Sequence, residues 1–268
     1  MSDLLAAALL GVVEGVTEFL PVSSTGHLIL ATELLGYDAA RWKLFNVVIQ
    51  LGAIAAVVVL YWRTFWTVAA GLARGQRGSA RFVRNIAIAF LPAAVVGLAL
   101  HKKVEALLGN ATVVAVALIA GGVAILLVER FARPGTIRGI ADVPAGIAAG
   151  VGAIQCLSMV PGVSRSGATI LGGVALGVER RTAAEFSFFL AIPTMLGASS
   201  VEIWGQRHAL AAGQGVSFAE IAIGMAVAFV VALVVVRGFV ALVGRHGFAP
   251  FGWYRIIAGA VALLLLKG

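Results

Sequence analysis

The stretch EGVTEFLPVSSTGH, residues 14–27, decides the fold, because it places carboxylates, hydroxyls and a proline in the middle of an apolar segment. That segment runs from 4 to 36, so each flank is shorter than the ~20 apolar residues that a helix needs to cross the hydrocarbon of a bilayer. The stretch VPGVSRSGAT, residues 160–169, interrupts the apolar region 144–177 in the same way. Each region is predicted to form two half-length helices around a loop.

The composition of the 268-residue chain is that of a membrane protein. Hydrophobic residues make up 61% of the chain and charged residues 12%, whereas about a quarter of the residues of a soluble domain are charged. The net charge of +8 is divided into short runs between apolar segments, so we expect no binding of nucleic acid. Because Cys156 is the single cysteine, an internal disulfide and a cysteine-based metal site are excluded.

Six further apolar segments are each near the length of a spanning helix. They cover residues 45–62, 86–100, 112–129, 185–204, 217–237 and 253–267. An interrupted segment at membrane depth is tolerated only where protein or water covers it, so the regions 4–36 and 144–177 are expected to be re-entrant hairpins inside the bundle. The predicted fold class is an all-α polytopic membrane protein with six spanning helices plus two re-entrant helical hairpins.

The two interrupted regions resemble each other in sequence. Gly11 precedes Gly26 at the same separation by which Gly152 precedes Gly167, and three apolar segments follow each region. The chain is therefore interpreted as a single membrane domain, residues 1–268, with repeats at approximately 1–135 and 140–268. Because an odd number of spans separates equivalent points, the repeats are predicted to be inverted, with their loops meeting near the middle of the membrane.

Arginine-rich loops set the predicted orientation. The loops 63–85 and 130–143 carry eight arginines, and Arg180, Arg181 and Arg245 are expected on the same side, whereas the other side has only Arg41, Lys43, Lys102, Lys103, Arg207 and Lys267. Since cytoplasmic loops carry an excess of Lys and Arg, the arginine-rich side is predicted to face the cytoplasm. The first hairpin then opens to the outside and the second to the cytoplasm.

Two acids lie inside the first interrupted region. Glu14 and Glu18 are four residues apart, so on a helix they share one face with Cβ atoms about 6 Å apart. Carboxylates this close in a medium of low dielectric repel, unless one is protonated or a cation lies between them. Oxygen ligands suit Mg²⁺ or Ca²⁺, with substrate oxygens and water completing the shell. The alternative is a structural pair satisfied by Arg165, although an acid inside a membrane is by default a functional candidate.

Hydroxyl side chains mark the loop in each region. They are Ser23, Ser24 and Thr25 in the first, and Ser164 and Ser166 in the second. Such residues are ordinary helix N-caps, and that interpretation accounts for some of them. Two helix N-termini directed at one point also form an anion site, because free N–H groups and helix dipoles favour negative charge. We therefore predict that these loops bind phosphate.

Arg165 is expected to be the one basic residue deep in the membrane. Its guanidinium stays charged and binds two phosphate oxygens at once; alternatively it is a buried partner of Glu14 or Glu18. His27 follows Ser24 by three residues and shares its helix face. It is interpreted either as a hydrogen-bonded structural residue or as a base or nucleophile.

These residues resemble a known family. EGVTEFLPVSSTGH, residues 14–27, resembles the first signature of the undecaprenyl-diphosphate phosphatases, the bacitracin-resistance family, and PGVSRSGAT, residues 161–169, resembles the second. The segments 45–52 and 185–190 also fit, so the resemblance covers the whole chain. Asn46 departs from the pattern, since many members carry an acid at this position. The minor supporting role of that acid is therefore in doubt for this chain.

The resemblance implies an enzyme that removes the terminal phosphate of undecaprenyl diphosphate, a polyprenyl diphosphate, and so recycles the lipid carrier of cell-wall synthesis. It also implies bacitracin resistance, a divalent cation, and a site at the outer face of the cytoplasmic (inner) membrane. The implied signature residues are Glu14, Glu18, Ser24, Thr25, His27, Ser164, Arg165, Ser166 and Thr169.

For the reaction, Ser24 is our choice of nucleophile with His27 or Glu18 as its base; attack by His27 itself or by water stays open. Arg165, the helix N-termini and a cation at Glu14 and Glu18 are expected to offset the charge that develops on the phosphoryl group. The rival hypothesis is a lipid-phosphate flippase or secondary transporter, since inverted repeats around broken helices are transporter architecture. A homodimer is compatible with the small-residue helix faces.

Overall fold

The computed structural model describes residues 2–37, 39–108, 110–207 and 215–266, without the side chains of 39, 40, 101–108 and 245. These residues form helices and the turns between them. No described residue belongs to a β-strand, and an isolated parallel bridge joins Ile137 to Val178. The prediction of an all-α fold is confirmed for this part of the chain.

The helices of the first half begin with two short elements and end with two long ones. They are α1 (Asp3–Thr17), α2 (Ser24–Leu34), α3 (Ala39–Val48), α4 (Gln50–Leu60), α5 (Trp62–Ala73), α6 (Arg77–Leu108) and α7 (Ala111–Phe131). The second half again begins with short helices. It contains α8 (Ala145–Gln155), α9 (Arg165–Ala175), α10 (Arg180–Gly205), α11 (Phe218–His246) and α12 (Ala249–Leu265), with 3₁₀ turns at Ile140–Asp142 and Cys156–Met159.

Five of the described helical segments are long and apolar enough to cross a bilayer. They are Arg41–Leu60, Arg77–Leu100, Ala111–Phe131, Arg180–Gly205 and Phe218–Gly244. The sixth predicted span, 253–267, corresponds to α12, which at 17 residues is shorter than the other five, and residue 267 lies outside the described residues. The chain is therefore a multi-pass membrane protein, and the number of six spans stays a prediction.

Both interrupted regions contain the predicted pair of short helices. The helices α1 and α2 have 15 and 11 residues, and α8 and α9 have 11 residues each. Each is below the ~20 residues of a spanning helix. Whether the pairs are re-entrant depends on where the membrane lies, so that part of the fold class stays a prediction.

Close helix contacts interlock the two halves of the chain. A Cβ atom on Gly11 of α1 would lie 2.6 Å from the carbonyl oxygen of Gly224 on α11, and one on Gly152 of α8 would lie 2.4 Å from that of Ala89 on α6. Glycines at such positions have no side chain and so let membrane helices approach closely. The first short helix of each pair therefore packs tightly against a long helix of the other half. This packing holds the two loops inside the bundle.

Candidate active site

Two serines with unusual backbone geometry begin the second helix of each pair. Ser23 and Ser164 have φ angles of 74° and 77°, and among the described residues they are the non-glycine positions with positive φ. Each side chain caps its helix, because its oxygen accepts a hydrogen bond from the backbone N–H three residues on, at Gly26 (3.3 Å) and Gly167 (3.0 Å). Non-glycine residues held in this region are strained, and such strain is concentrated at functional sites.

A salt bridge joins the two interrupted regions. Nη2 of Arg165, the first residue of α9, donates to Oε1 of Glu18 at 2.9 Å. The hydroxyl of Ser24, the first residue of α2, donates to the other carboxylate oxygen of Glu18. The side chains of Glu18 and Ser24 are 5% and 6% exposed. One buried carboxylate therefore connects the predicted nucleophile to the predicted phosphate-binding arginine.

A second contact between the loops runs through serine hydroxyls. The Ser166 hydroxyl donates to the carbonyl oxygen of Leu20 at 2.7 Å, and its oxygen lies 3.0 Å from that of Ser164. The loops therefore meet, as the sequence indicated. Thr25 lies half-buried in the first turn of α2.

Arg165 is held from its other side by α10. Its Nη1 donates to the carbonyl oxygen of Ser187 (2.7 Å) and to the Ser187 hydroxyl (3.0 Å). The Ser187 hydroxyl lies 2.6 Å from that of Thr169, one turn further along α9. Ser187 was not predicted, because a single serine in an apolar helix carries no signal that separates it from a packing residue. Arg165 Nε is buried without a hydrogen-bond partner.

The Glu14 carboxylate is the most isolated polar group near this site. It is fully buried on α1, one turn before Glu18, and neither oxygen has a hydrogen-bond partner. The side-chain oxygen of Asn46 is likewise buried without a partner. A buried carboxylate with nothing to accept from is costly, so this position is suited to a positive ligand or to a proton.

His27 is bound to groups other than the predicted nucleophile. Its Nδ1 lies 2.8 Å from the carbonyl oxygen of Ser23, and its Nε2 lies 2.6 Å from the Tyr254 hydroxyl. Because a carbonyl oxygen only accepts, Nδ1 carries the proton and Nε2 accepts from Tyr254. The two rings also stack, with centroids 5.6 Å apart. Of the two predicted bases for Ser24, the structure therefore places Glu18, and not His27, in contact with the hydroxyl.

A second buried arginine shows that one expectation from the sequence was wrong. Arg165 is not alone in the interior, because Arg255 on α12 is 1% exposed. Its five N–H groups donate to five carbonyl oxygens at 2.8–3.3 Å, those of Pro21, Ala117, Leu118, Gly162 and Val163. The guanidinium of Arg255 therefore ties both loops to α7. A lone charge in an apolar helix is the signal that could have found this residue.

The geometry gathers a carboxylate, a hydroxyl and a guanidinium at two helix N-termini, with water largely excluded. The donors are Nε of Arg165, which has no partner, and the first backbone N–H groups of α2 and α9, which favour an anion with several oxygens. The Ser24 hydroxyl, hydrogen-bonded to Glu18, has the arrangement of a nucleophile beside its base. This combination suits transfer of a phosphoryl group.

Comparison with known proteins supports the same chemistry. The profile described as "Bacitracin resistance protein BacA" matches residues 7–261. An undecaprenyl-diphosphatase of Novosphingobium aromaticivorans is 64% identical over 98% of both chains. The undecaprenyl-diphosphatase of Rhizorhabdus wittichii is 56% identical over 98% of both chains. "Undecaprenyl-diphosphatase 2" of Paramagnetospirillum magneticum is 51% identical over 98% of this chain and 99% of its own. With a match that spans nearly its whole length, this chain belongs to the BacA family of bacitracin resistance proteins.

Proposed function

We propose that this protein is an undecaprenyl-diphosphatase, an enzyme that hydrolyses undecaprenyl diphosphate to the monophosphate and inorganic phosphate. It thereby recycles the lipid carrier of cell-wall synthesis and supports bacitracin resistance. The observation that carries the proposal is the contact of Glu18 with both Ser24 and Arg165, which come from different halves of the chain. The names of full-length relatives agree with it.

In the proposed reaction Ser24 attacks the terminal phosphorus while Glu18 accepts its proton. A bond forms between the Ser24 oxygen and phosphorus, the bond to the bridging oxygen breaks, and the lipid monophosphate leaves. Water then hydrolyses the phosphoserine, releases phosphate and restores the Ser24 hydroxyl. The choice of Glu18 as base rests on its hydrogen bond from Ser24, since both ring nitrogens of His27 are already engaged.

Charge on the phosphate groups is offset by Arg165 and the two helix N-termini. The Nε of Arg165 is a buried donor without a partner, so the guanidinium keeps a hydrogen bond to give to an anion. Stabilisation of developing negative charge is the main demand of phosphoryl transfer. The remaining phosphate ligands in this proposal are Ser23, Thr25, Ser164, Ser166 and Thr169.

The residues of the site fit a divalent cation. Glu14 offers two buried carboxylate oxygens without hydrogen-bond partners, and Glu18 lies one helical turn away. Hard oxygen donors suit Mg²⁺ or Ca²⁺. Among the described residues no group of three His, Cys, Asp or Glu side chains is placed to hold a metal, so substrate oxygens and water must supply the other ligands. When bound, the cation supplies positive charge beside the diphosphate.

The proposed setting is the cytoplasmic (inner) membrane, with the site open toward the outer face and the two halves arranged as inverted repeats. The strained caps Ser23 and Ser164 occupy equivalent positions in the two halves, which supports the repeat. The helix α1 of the first half packs on α11 of the second half, and α8 of the second half packs on α6 of the first. A two-fold relation between the halves would produce such a reciprocal pair of contacts. The arginine-rich loops support the orientation. A homodimer stays a prediction.

The test is release of phosphate from undecaprenyl diphosphate by the purified protein in detergent, with and without a chelator. We expect hydrolysis that is lost on chelation and in Ser24→Ala. Ser199→Ala is the matched control. Like Ser24, Ser199 is a buried serine, but its hydroxyl donates to the carbonyl oxygen of Val47 on α3 and to no described residue of the candidate site. A flippase or transporter needs two compartments and would release no phosphate in this assay, so absence of release from the wild type rejects the proposal.

The roles of individual residues need two further measurements. Arg165→Lys should lose most turnover, because an ammonium cannot bind two oxygens in the planar geometry of a guanidinium. Rapid quenching and peptide mapping should locate a phosphorylated Ser24. A stable phosphohistidine at His27 would instead make His27 the nucleophile.

A further inference from the structure

A cavity of about 350 Å³ lies between α3, α6, α8 and α10. Its volume is within the range of roughly 300–1,000 Å³ that small-molecule sites occupy. The walls on α6 and α10 are apolar and include Phe90, Leu98 and Val201, with space left by Gly97 and Gly197. A cavity lined in this way is suited to a flexible hydrocarbon.

The lining of the cavity also contains polar side chains. Gln155, the last residue of α8, lines it and is 1% exposed, and neither the oxygen nor the nitrogen of its amide has a hydrogen-bond partner. A buried amide without partners costs free energy, and a native protein that keeps one calls for an explanation such as a function. Gln155 is placed to bind a polar group that enters the cavity.

The cavity passes close to the candidate active site. Thr194 of α10 lines the cavity, and the sulfur of the next residue, Met195, lies 3.9 Å from Nη2 of Arg165. The cavity then extends along α6 and α10 to Lys43 and Glu202, whose side chains form a salt bridge of 3.1 Å. A ligand in this cavity therefore lies close to Arg165, and its hydrocarbon contacts the apolar walls.

We propose that this cavity binds the isoprene units nearest the diphosphate of the polyprenyl substrate, with the phosphate-bearing end at Gln155. The inference rests on the proposed function and adds the route of the lipid chain. The apolar walls fit the hydrocarbon, while the amide of Gln155 can donate to the oxygen that joins the chain to its phosphate.

Two glycines allow the cavity to be filled without disturbing the helices. A Cβ atom on Gly97 would lie 3.5 Å from the Met159 methyl group, and one on Gly197 would lie 3.9 Å from the Phe90 ring, both at van der Waals contact. Gly97→Leu and Gly197→Leu therefore place a side chain in the cavity. Gly238→Leu on α11 is the matched control, because Gly238 is exposed and has no atom within 4 Å of its Cβ position.

Hydrolysis kinetics with two substrates measure the effect. For undecaprenyl diphosphate we expect Gly197→Leu to raise KM about tenfold, which corresponds to about 1.4 kcal/mol of binding. Hydrolysis of methyl diphosphate, which has no isoprene unit, should change much less, and the control should match the wild type. Equal KM values for the wild type, Gly197→Leu and Gly238→Leu with the long substrate would overturn the proposal. If the wild type hydrolyses neither substrate, the proposed function itself has failed.

Cross-linking tests the location of the chain without relying on turnover or on the folding of a variant. A polyprenyl diphosphate that carries a photoreactive diazirine on an isoprene unit near its diphosphate is irradiated with the wild-type protein. Peptide mapping should find the label on residues 90–98 or 194–201. Labelling confined to other helices would show that the hydrocarbon chain takes another route.

Discussion

Replacing Arg255 by methionine should both destabilise the protein and disable its active site. The side chain is 1% exposed, and its guanidinium donates to five carbonyl oxygens, three of which belong to the loops that precede Ser23 and Ser164. A hydrogen bond to a charged group contributes about 1.5–3 kcal/mol. Relief from burying the charge, which costs several kcal/mol, offsets part of the loss.

Five such bonds contribute about 8–15 kcal/mol in total, so after this relief we expect a net destabilisation of at least ~3 kcal/mol for Arg255→Met. The variant should lose more activity than its lower stability explains, because the loops position Ser24 and Arg165. A displacement of about 1 Å of reacting groups can cost ~100-fold in rate. The fall should appear in kcat for protein that remains folded. Arg255→Lys should recover part of the stability but little activity, since three donors cannot reach five carbonyl oxygens.

The assay combines thermal unfolding in detergent with steady-state phosphate release. Arg237→Met is the matched control, because Arg237 lies exposed on α11 and its loss should leave both quantities near the wild type. If Arg255→Met keeps its melting temperature and its kcat, the view that this guanidinium holds the two loops together is wrong.

Three further predictions concern other parts of the structure. Glu179 caps α10, and hydrogen bonds from the first turn of that helix outweigh the opposing effect of burial and lower its pKa. Glu179→Ala should therefore cost about 1 kcal/mol at neutral pH, and this difference in unfolding should vanish as pH falls below about 4. Gly152→Ala should destabilise by about 1–3 kcal/mol, because its methyl would lie 2.4 Å from the Ala89 carbonyl oxygen, whereas Gly146→Ala, with open space, should not. Glu14→Gln should raise the Mg²⁺ concentration for half-maximal phosphate release; an unchanged metal dependence would exclude Glu14 as a ligand.

Much of the fold could be read from local sequence. The interruption of two apolar regions by Pro, Gly and Ser predicts the helix pairs α1–α2 and α8–α9, since a chain cannot keep helical hydrogen bonding through such residues. Long apolar runs predict the spanning segments for the same local reason. The helix α12 begins at Ala249, ahead of the predicted segment 253–267, and the turn before it at Gly247 packs against Glu129 of α7, a contact that local sequence does not show.

The site was predicted in part. Acids, hydroxyls and an arginine inside apolar segments are conspicuous, so Glu14, Glu18, Ser24 and Arg165 could be named as candidates without a structure, and the structure brings Glu18, Ser24 and Arg165 into contact. Ser187 was not, because an isolated serine in an apolar helix has no local signature. The choice between His27 and Glu18 as the base of Ser24 also needed coordinates, since both are within reach in sequence.

The sequence by itself determined which charged and polar residues lie within apolar segments. Their presence there is conspicuous because the cost of burying such a group depends on the residue itself and on its neighbours in the chain. Only the tertiary structure decided which of those groups meet. Arg165 reaches Glu18 across 147 positions of the chain and Arg255 reaches Pro21 across 234. The reason is geometric: hydrogen bonds act over about 3 Å, and the approach of two helices to that distance is set by the packing of every helix between them.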